Sequence, residues 1–174
     1  MPKIIKNVRE QLLQEATRQV ATVGYAATTI RSVASACGLA VGTVYNYFPS
    51  KDVLIATFMA EDWMQCLAEI DSAAARDAGA MLLTACEVLR RFADRHQTLF
   101  RDKTAARIFS AVFSERHRQL RDQLSARILP HCGGKSEKER RLASDLAAEG
   151  LLSFTMSGTP AEELLPVLLR LLKN

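Results

Sequence analysis

Apolar residues recur at steps of three and four along nearly the whole chain, and no stretch sustains the strict alternation of a half-buried strand. That periodicity restricts the chain to packed helices, an all-α protein of about nine helices. The punctuation between them can be read residue by residue. Asn7 with Glu10 three positions on predicts a capping box opening the first helix. Val8, Leu12, Ala16, Val20 and Val23 form its buried stripe, and Gly24 stops it. Thr28 or Thr29 caps a second helix that turns Ile30, Val33 and Ala34 inward. Cys37, Gly38 and Leu39 make a short turn into a third helix ending near Phe48. Pro49 breaks the chain and Ser50 recaps it.

A fourth helix follows through Ile55, Met59, Trp63, Leu67, Ile70 and Ala74, ended by Gly79. At about 1.5 Å per residue it extends about 35 Å, enough to join a small N-terminal module to the rest. Further helical segments cover 81–96, 99–113 and 120–129, before a break at Pro130, Gly133 and Gly134. The stretch 116–127, with alternating charge, reads as a solvated face. Ser136 with Glu139 opens the next helix, and Thr159, Pro160 and Glu162 open the last. Pro166 should kink the last helix. That helix is apolar on more than one side, so a second copy of the chain is expected to cover it. Leu146, Gly150, Leu151 and Phe154 on the penultimate helix are assigned to that dimer interface. Leu164, Leu168 and Leu171 on the last are assigned with them.

Between Thr29 and Phe48 the spacing becomes specific. Two short helices crossing steeply require a small residue at the crossing and a residue tolerant of positive φ in the turn; Ala34 and Gly38 meet both demands. Val33, Cys37, Leu39 and Val44 supply the apolar contacts. The second helix then exposes Val41, Gly42, Thr43, Tyr45, Asn46 and Tyr47. Such a surface suits a DNA major groove. Gly42 permits close approach, Thr43 bonds phosphate or touches a thymine methyl, Asn46 reads an adenine edge, and the tyrosines reach phosphates. Thr28 or Thr29, Arg31 and Lys51 complete the candidate DNA-binding set. Charge agrees: the net charge is +4, and the first 52 residues hold six cations against three acids.

The run Gly24-Tyr25-Ala26-Ala27-Thr28-Thr29-Ile30, the turn at Cys37-Gly38-Leu39, and Gly42 through Asp52 together resemble the TetR/AcrR signature of transcriptional regulators over about residues 5 to 60. The resemblance implies a tetracycline-repressor-like fold. Residues 1–52 would be a three-helix helix-turn-helix domain (motif about 29–48), and 53–174 a helical bundle for ligand sensing and dimerisation. It implies that Thr29, Thr43, Tyr45, Tyr47 and Lys51 contact DNA, mostly its backbone, with Val41, Gly42 and Asn46 facing bases. Ala40-Val41 departs from the polar residues common there and favours methyl contacts. It further implies a homodimeric repressor, released from a pseudo-palindromic operator by a small hydrophobic effector. Candidate pocket residues are Met59, Trp63, Cys66 and Phe92, then His96, Phe100, Ile108, Phe109 and Phe113; His96 is expected as a satisfied core or rim histidine.

Other classes find less support. The four cysteines, Cys37, Cys66, Cys86 and Cys132, lack paired spacing and read as buried thiols of a reducing cytoplasm. His131-Cys132 alone makes poor metal geometry, and no phosphate-cradling glycine loop is present. Neither enzyme activity, a cofactor, a metal nor a membrane span is expected, and the start shows no signal-peptide core. A thiol redox sensor and an architectural or partner-recruiting DNA-binding protein remain as alternatives on the same scaffold.

Overall fold

Twenty residues of amphipathic sequence open the fold as α1, Val8–Ala27. The computed structural model describes residues 7–74, 77–133 and 136–173, with side chains at all of these except 74 and 106–116. Among the described residues there are eight α-helices and a 3-10 turn, and no strand. They run α1, α2 (Ile30–Ala36), α3 (Val41–Tyr45), α4 (Lys51–Ala74), α5 (Ala78–Arg101), α6 (Lys103–Ile128), the turn Leu129–His131, α7 (Glu137–Met156) and α8 (Ala161–Lys173). The all-α expectation is borne out.

Helix ends follow the sequence closely in some places and not in others. At Asn7 no capping box forms: the residue is left-handed (φ 71°), and its side-chain amide donates to the Glu10 carboxylate instead of accepting a backbone N–H. Leu12, Ala16 and Val20 are buried as read, but Val23 is 57% exposed. Gly24 leaves helical geometry (φ 84°, ψ 169°), so the buried stripe of α1 does not continue past it in register. Gly79 does not end α4. It lies in the first turn of α5, where Asp77 Oδ1 accepts from Ala80 N at 2.8 Å and caps the helix.

The expected breaks near 97–98 and 114–119 are also absent, and a single interruption at Asp102 divides α5 from α6. Asp102 Oδ1 accepts from Thr104 N and Ala105 N, so one short acid caps α6 without a glycine or proline to announce it. The Ser136–Glu139 capping box forms as read. At the last helix Pro160 supplies the carbonyl that receives Glu163 N and Leu164 N, and Thr159 gives its own carbonyl to Arg90. α8 continues through Pro166 to Lys173.

The chain forms two compact units, Met1–Asp62 with Arg95–Ile108, and Trp63–Asp94 with Phe109–Asn174. In the first, Leu12, Val33, Val44, Leu54 and Ile55 are fully buried. In the second, Leu67, Ile70, Leu82, Leu89, Leu124 and Leu151 fill the interior. Each such side chain contributes about 1.5–3 kcal/mol by leaving water. Trp63 sits edge-on to Phe92 at 5.8 Å, and its indole N–H donates to Gln123 Oε1 at 2.6 Å.

Candidate nucleic-acid interface

α2 and α3 are too short to persist alone, so their position is set by caps and packing. Thr29 caps α2 with a reciprocal box: its hydroxyl accepts from Ser32 N, and Ser32 Oγ accepts from Thr29 N. Ser32 Oγ also donates to Gln19 Oε1 at 2.6 Å, and Gln19 Nε2 reaches Glu15, tying the start of α2 to α1. At the other end, Gly38 N donates to Ser35 O and Leu39 N to Ala34 O, closing α2 with Gly38 at φ 66°. Ala34 is 1% exposed and Val44 is fully buried, so α2 and α3 share one apolar seam.

With Val44 inward, the opposite side of α3 faces out. Gly42, Tyr45, Asn46 and Tyr47 are exposed, and Val41 and Thr43 are half-buried. Tyr45 and Tyr47, at 52% and 46%, expose large aromatic surface beside two hydrogen-bonding hydroxyls. Beside them an open cleft of about 550 Å3 has Thr28, Thr29, Arg31, Val41, Tyr45 and Lys51 among its lining residues. The structure therefore gathers most of the sequence-selected residues at one place.

Two of these residues also bond within the chain. Thr28 lines the cleft but is fully buried, and its hydroxyl donates to Gly24 O at 2.8 Å, closing the α1 turn. Lys51 lines the cleft, but its ammonium donates to Tyr25 O at 2.9 Å and lies 3.8 Å from the centre of the Tyr25 ring. The Tyr25 hydroxyl in turn donates to the Asp52 carboxylate, and burial together with that carboxylate pushes its pKa above the usual phenol range. Tyr25, Asp52, Gln19 and Ser32 were not selected from sequence; the aromatic after the Gly24 stop and the acid after Lys51 were the available signals. Arg9 forms an ion pair with Glu61 at 2.7 Å and covers the Phe48 ring, and Arg18 pairs with Glu15.

The candidate effector residues fall in different units. Met59, His96 and Phe100 belong to the first; Trp63, Cys66 and Phe92 belong to the second; the side chains of Ile108, Phe109 and Phe113 lie outside those described. His96 is 2% exposed, stacks on Phe58 and shares Asp62 with Arg95, its Nε2 lying 2.9 Å from Asp62 Oδ2. Burial lowers its pKa against the pull of that carboxylate. Burial raises the thiols of Cys37, Cys86 and Cys132, which works against the thiolate a redox sensor uses. Among the described residues no group of side chains could hold a metal ion, and no helix is long and apolar enough to cross a membrane.

The proposed dimer residues separate into two sets. Leu151, Leu164 and Leu168 are 1%, 6% and 4% exposed, covered within the chain because α7 and α8 pack on each other. Gly150 belongs to the same contact, since a Cβ there would lie 3.5 Å from Leu168. Leu171 is half-buried. Leu146 and Phe154 stay 53% exposed, joined by Leu142 at 58% and Val167 at 61%.

Residues 12–57, which hold α1 to the start of α4, match the family model of bacterial regulatory proteins of the tetR family. Over that segment the chain is similar to the TetR/AcrR regulators. The HTH-type transcriptional repressor KstR of Mycobacterium tuberculosis is 28% identical over 94% of this chain and 80% of its own length. A transcriptional regulator of Aquifex aeolicus shares the fold at TM-score 0.68 and 16% identity, over 93% of this chain and 95% of that one. Thermus thermophilus FadR, solved with lauroyl-CoA, shares it at TM-score 0.56 and 22% identity, over 94% and 92%. A chain with this module is accordingly a DNA-binding transcriptional regulator.

Proposed function

We propose that the chain is a repressor that binds a pseudo-palindromic operator as a homodimer, with α3 of each copy in a major groove. The observation that carries this reading is the orientation of α3. Its one fully buried residue, Val44, leaves Gly42, Tyr45, Asn46 and Tyr47 facing outward beside a cleft that holds Arg31 and Thr29. Arg31, Thr29, Thr43, Tyr45 and Tyr47 take phosphates, while Val41, Gly42 and Asn46 meet base edges. The second copy covers the stripe of Leu142, Leu146 and Phe154, set four and eight residues apart on α7, together with Val167 of α8.

A small apolar effector completes the reading, with Trp63, Cys66 and Phe92 contributing to its recognition. An effector shifts operator affinity only by its preference for one of two arrangements of the dimer. Acyl-CoA esters are the first probes to try, because a FadR of the same fold was solved with lauroyl-CoA. A gel shift with the DNA between this gene and its neighbours tests the reading. A discrete complex that survives excess competitor duplex and dissolves on adding effector is expected. Binding no tighter than to random duplex would overturn specific repression.

A further inference from the structure

An amide buried on the inner side of α1 does nothing for the core that an apolar side chain could not do, so Gln19 needs another account. It is 7% exposed, on the side of the helix that also buries Ala16 and Val20. Both ends of the amide are bonded, and the partners fix which end is which. Arg18 donates to both oxygens of Glu15, at 2.8 and 2.6 Å, and holds that carboxyl below its usual pKa. Glu15 is therefore a carboxylate, which only accepts, and Gln19 must turn its NH2 group toward it, at 2.7 Å. The carbonyl end then faces Ser32 on α2 and accepts from that hydroxyl at 2.6 Å. With its proton given away, Ser32 Oγ keeps its lone pairs for Thr29 N, at 3.0 Å.

Hydrogen bonds thus run in one direction from an ion pair on α1 to the residue that opens α2. The Thr29 hydroxyl is oriented by the same group. It accepts from Ser32 N at 2.9 Å, and among the described residues its own proton goes to no acceptor. Thr29 is exposed and lines the cleft. At the other end of α2 the Cys37 thiol, a weak donor 3.7 Å from Gln11 O, ties the helix to α1 far less firmly. We infer that Gln19 is a positioning residue for DNA binding: through Ser32 it holds Thr29 in the orientation that offers the free O–H to a phosphate oxygen. The assignment rests on the reading above that Thr29 takes a phosphate. A fully satisfied polar network specifies one arrangement of two helices, where an apolar seam leaves several within reach.

Two measurements on the full chain test this. In the first, anisotropy of a labelled 30-base-pair mixed-sequence duplex is followed from low to high KCl. Gln19→Met keeps the side-chain length and orphans no partner, because Glu15 retains Arg18 and the Ser32 hydroxyl can turn to Thr29 O at 2.9 Å. The melting temperature should therefore stay where it is or rise. Affinity should fall about three- to tenfold, the worth of one ordinary hydrogen bond. The slope of log affinity against log salt should not change, since no counterion-displacing charge is lost, whereas Arg31→Gln should flatten it by about 0.9 for each copy engaged. An unchanged affinity of Gln19→Met would overturn the inference. A flattened slope would do the same, because Gln19 would then act on Arg31 and not on Thr29. Absence of salt-dependent binding by wild type would instead reject the phosphate reading, and the inference with it.

The second measurement is a double-mutant cycle on the same duplex. Ser32→Ala removes the hydroxyl at a half-buried position and should weaken binding at least as much as Gln19→Met. Adding Gln19→Met to Ser32→Ala should then cost nothing more, because the amide acts only through that hydroxyl. Additive losses would mean two separate supports and would overturn the inference. Ser32→Thr, which keeps a hydroxyl in place, should bind as wild type does. The Ser32→Ala and Ser32→Thr pair leaves Gln19 untouched, so it decides the matter even where Gln19→Met does not fold. Equal affinities for the two would show that the hydroxyl has no part in presenting Thr29, and the inference would be wrong.

Discussion

The α2–α3 pair and the α7–α8 pair are closed by the same device. In each, a glycine with positive φ follows the first helix, Gly38 at 66° and Gly158 at 88°. In each, two backbone bonds seal the turn: Gly38 N to Ser35 O and Leu39 N to Ala34 O in one, Gly158 N to Thr155 O and Thr159 N to Phe154 O in the other. The helices they join differ. Seven and five residues meet at the first turn, twenty and thirteen at the second. The short pair buries Ile30, Val33, Ala34 and Val44 and turns glycine, tyrosine and asparagine outward. The long pair buries Ala147, Ala148, Leu151, Leu164 and Leu168, and still leaves Leu142, Leu146 and Phe154 in water. A shared turn therefore does not set the use of a helix pair. What remains outside after the core is satisfied differs, polar and aromatic in one case and apolar in the other.

The largest expected effect comes from making the second outer face resemble the first. Leu146→Asp with Phe154→Asp places two charges on the exposed apolar stripe and removes nothing from the α7–α8 core. Light scattering should then report the mass of one chain where wild type gives two, with helix content unchanged. A variant that keeps the wild-type mass would move the dimer interface elsewhere. Leu168→Ala serves as the contrasting change: it empties a buried site and should cost about 2–5 kcal/mol of stability, wherever the dimer surface lies.

The two turn glycines provide an intermediate test. No heavy atom lies within 4 Å of a Cβ built on either, so the cost of alanine is conformational. Gly38→Ala and Gly158→Ala should each destabilise the protein by about 1–2 kcal/mol, read from the denaturation midpoint. Their effects on DNA should part. Gly38→Ala shifts α3 relative to α2 and should weaken duplex binding beyond the loss of folded protein, whereas Gly158→Ala should leave the affinity of the folded fraction alone. Equal losses of affinity would mean that the turn after α2 has no special part in presenting α3.

The same contrast explains what could be read from sequence. Ala34, Gly38 and Val44 were legible because a steep crossing of two short helices tolerates few residues at those places. The long helices carry no such marks. Glycine at 79 looked like an ending and proved to be a first-turn residue, because Asp77 caps the helix two residues earlier. The join of α5 to α6 rests on Asp102 alone, one acid among many. Leu151, Leu164 and Leu168 were assigned to the dimer because periodicity separates apolar from polar faces but cannot separate a seam inside the chain from one between chains. Within the site, Tyr45 is exposed as read, and Thr29, one of two threonines offered as the cap, is the one that caps α2, while the bonds of Thr28 and Lys51 within the chain carry no sequence mark. Both turn toward α1, Thr28 to Gly24 four residues back and Lys51 to Tyr25, and the second pairing depends on how the chain folds back 26 residues later.

Gly42 gives the smallest effect on stability and the clearest sign. It lies in α3 with helical geometry, exposed, and a Cβ there would meet nothing within 4 Å. Glycine in a helix costs up to about 1 kcal/mol relative to alanine, so nothing in the folded chain asks for it. Gly42→Ala should accordingly raise the melting temperature slightly or leave it unchanged. If α3 lies in a groove with Gly42 against the duplex, the added methyl occupies space the DNA needs, and affinity should fall although stability does not. A protein both more stable and equally tight on DNA would mean that α3 meets the duplex through its tyrosines alone, with Gly42 turned aside. Opposite signs in the two measurements would place the glycine's purpose outside the fold, on the surface it presents.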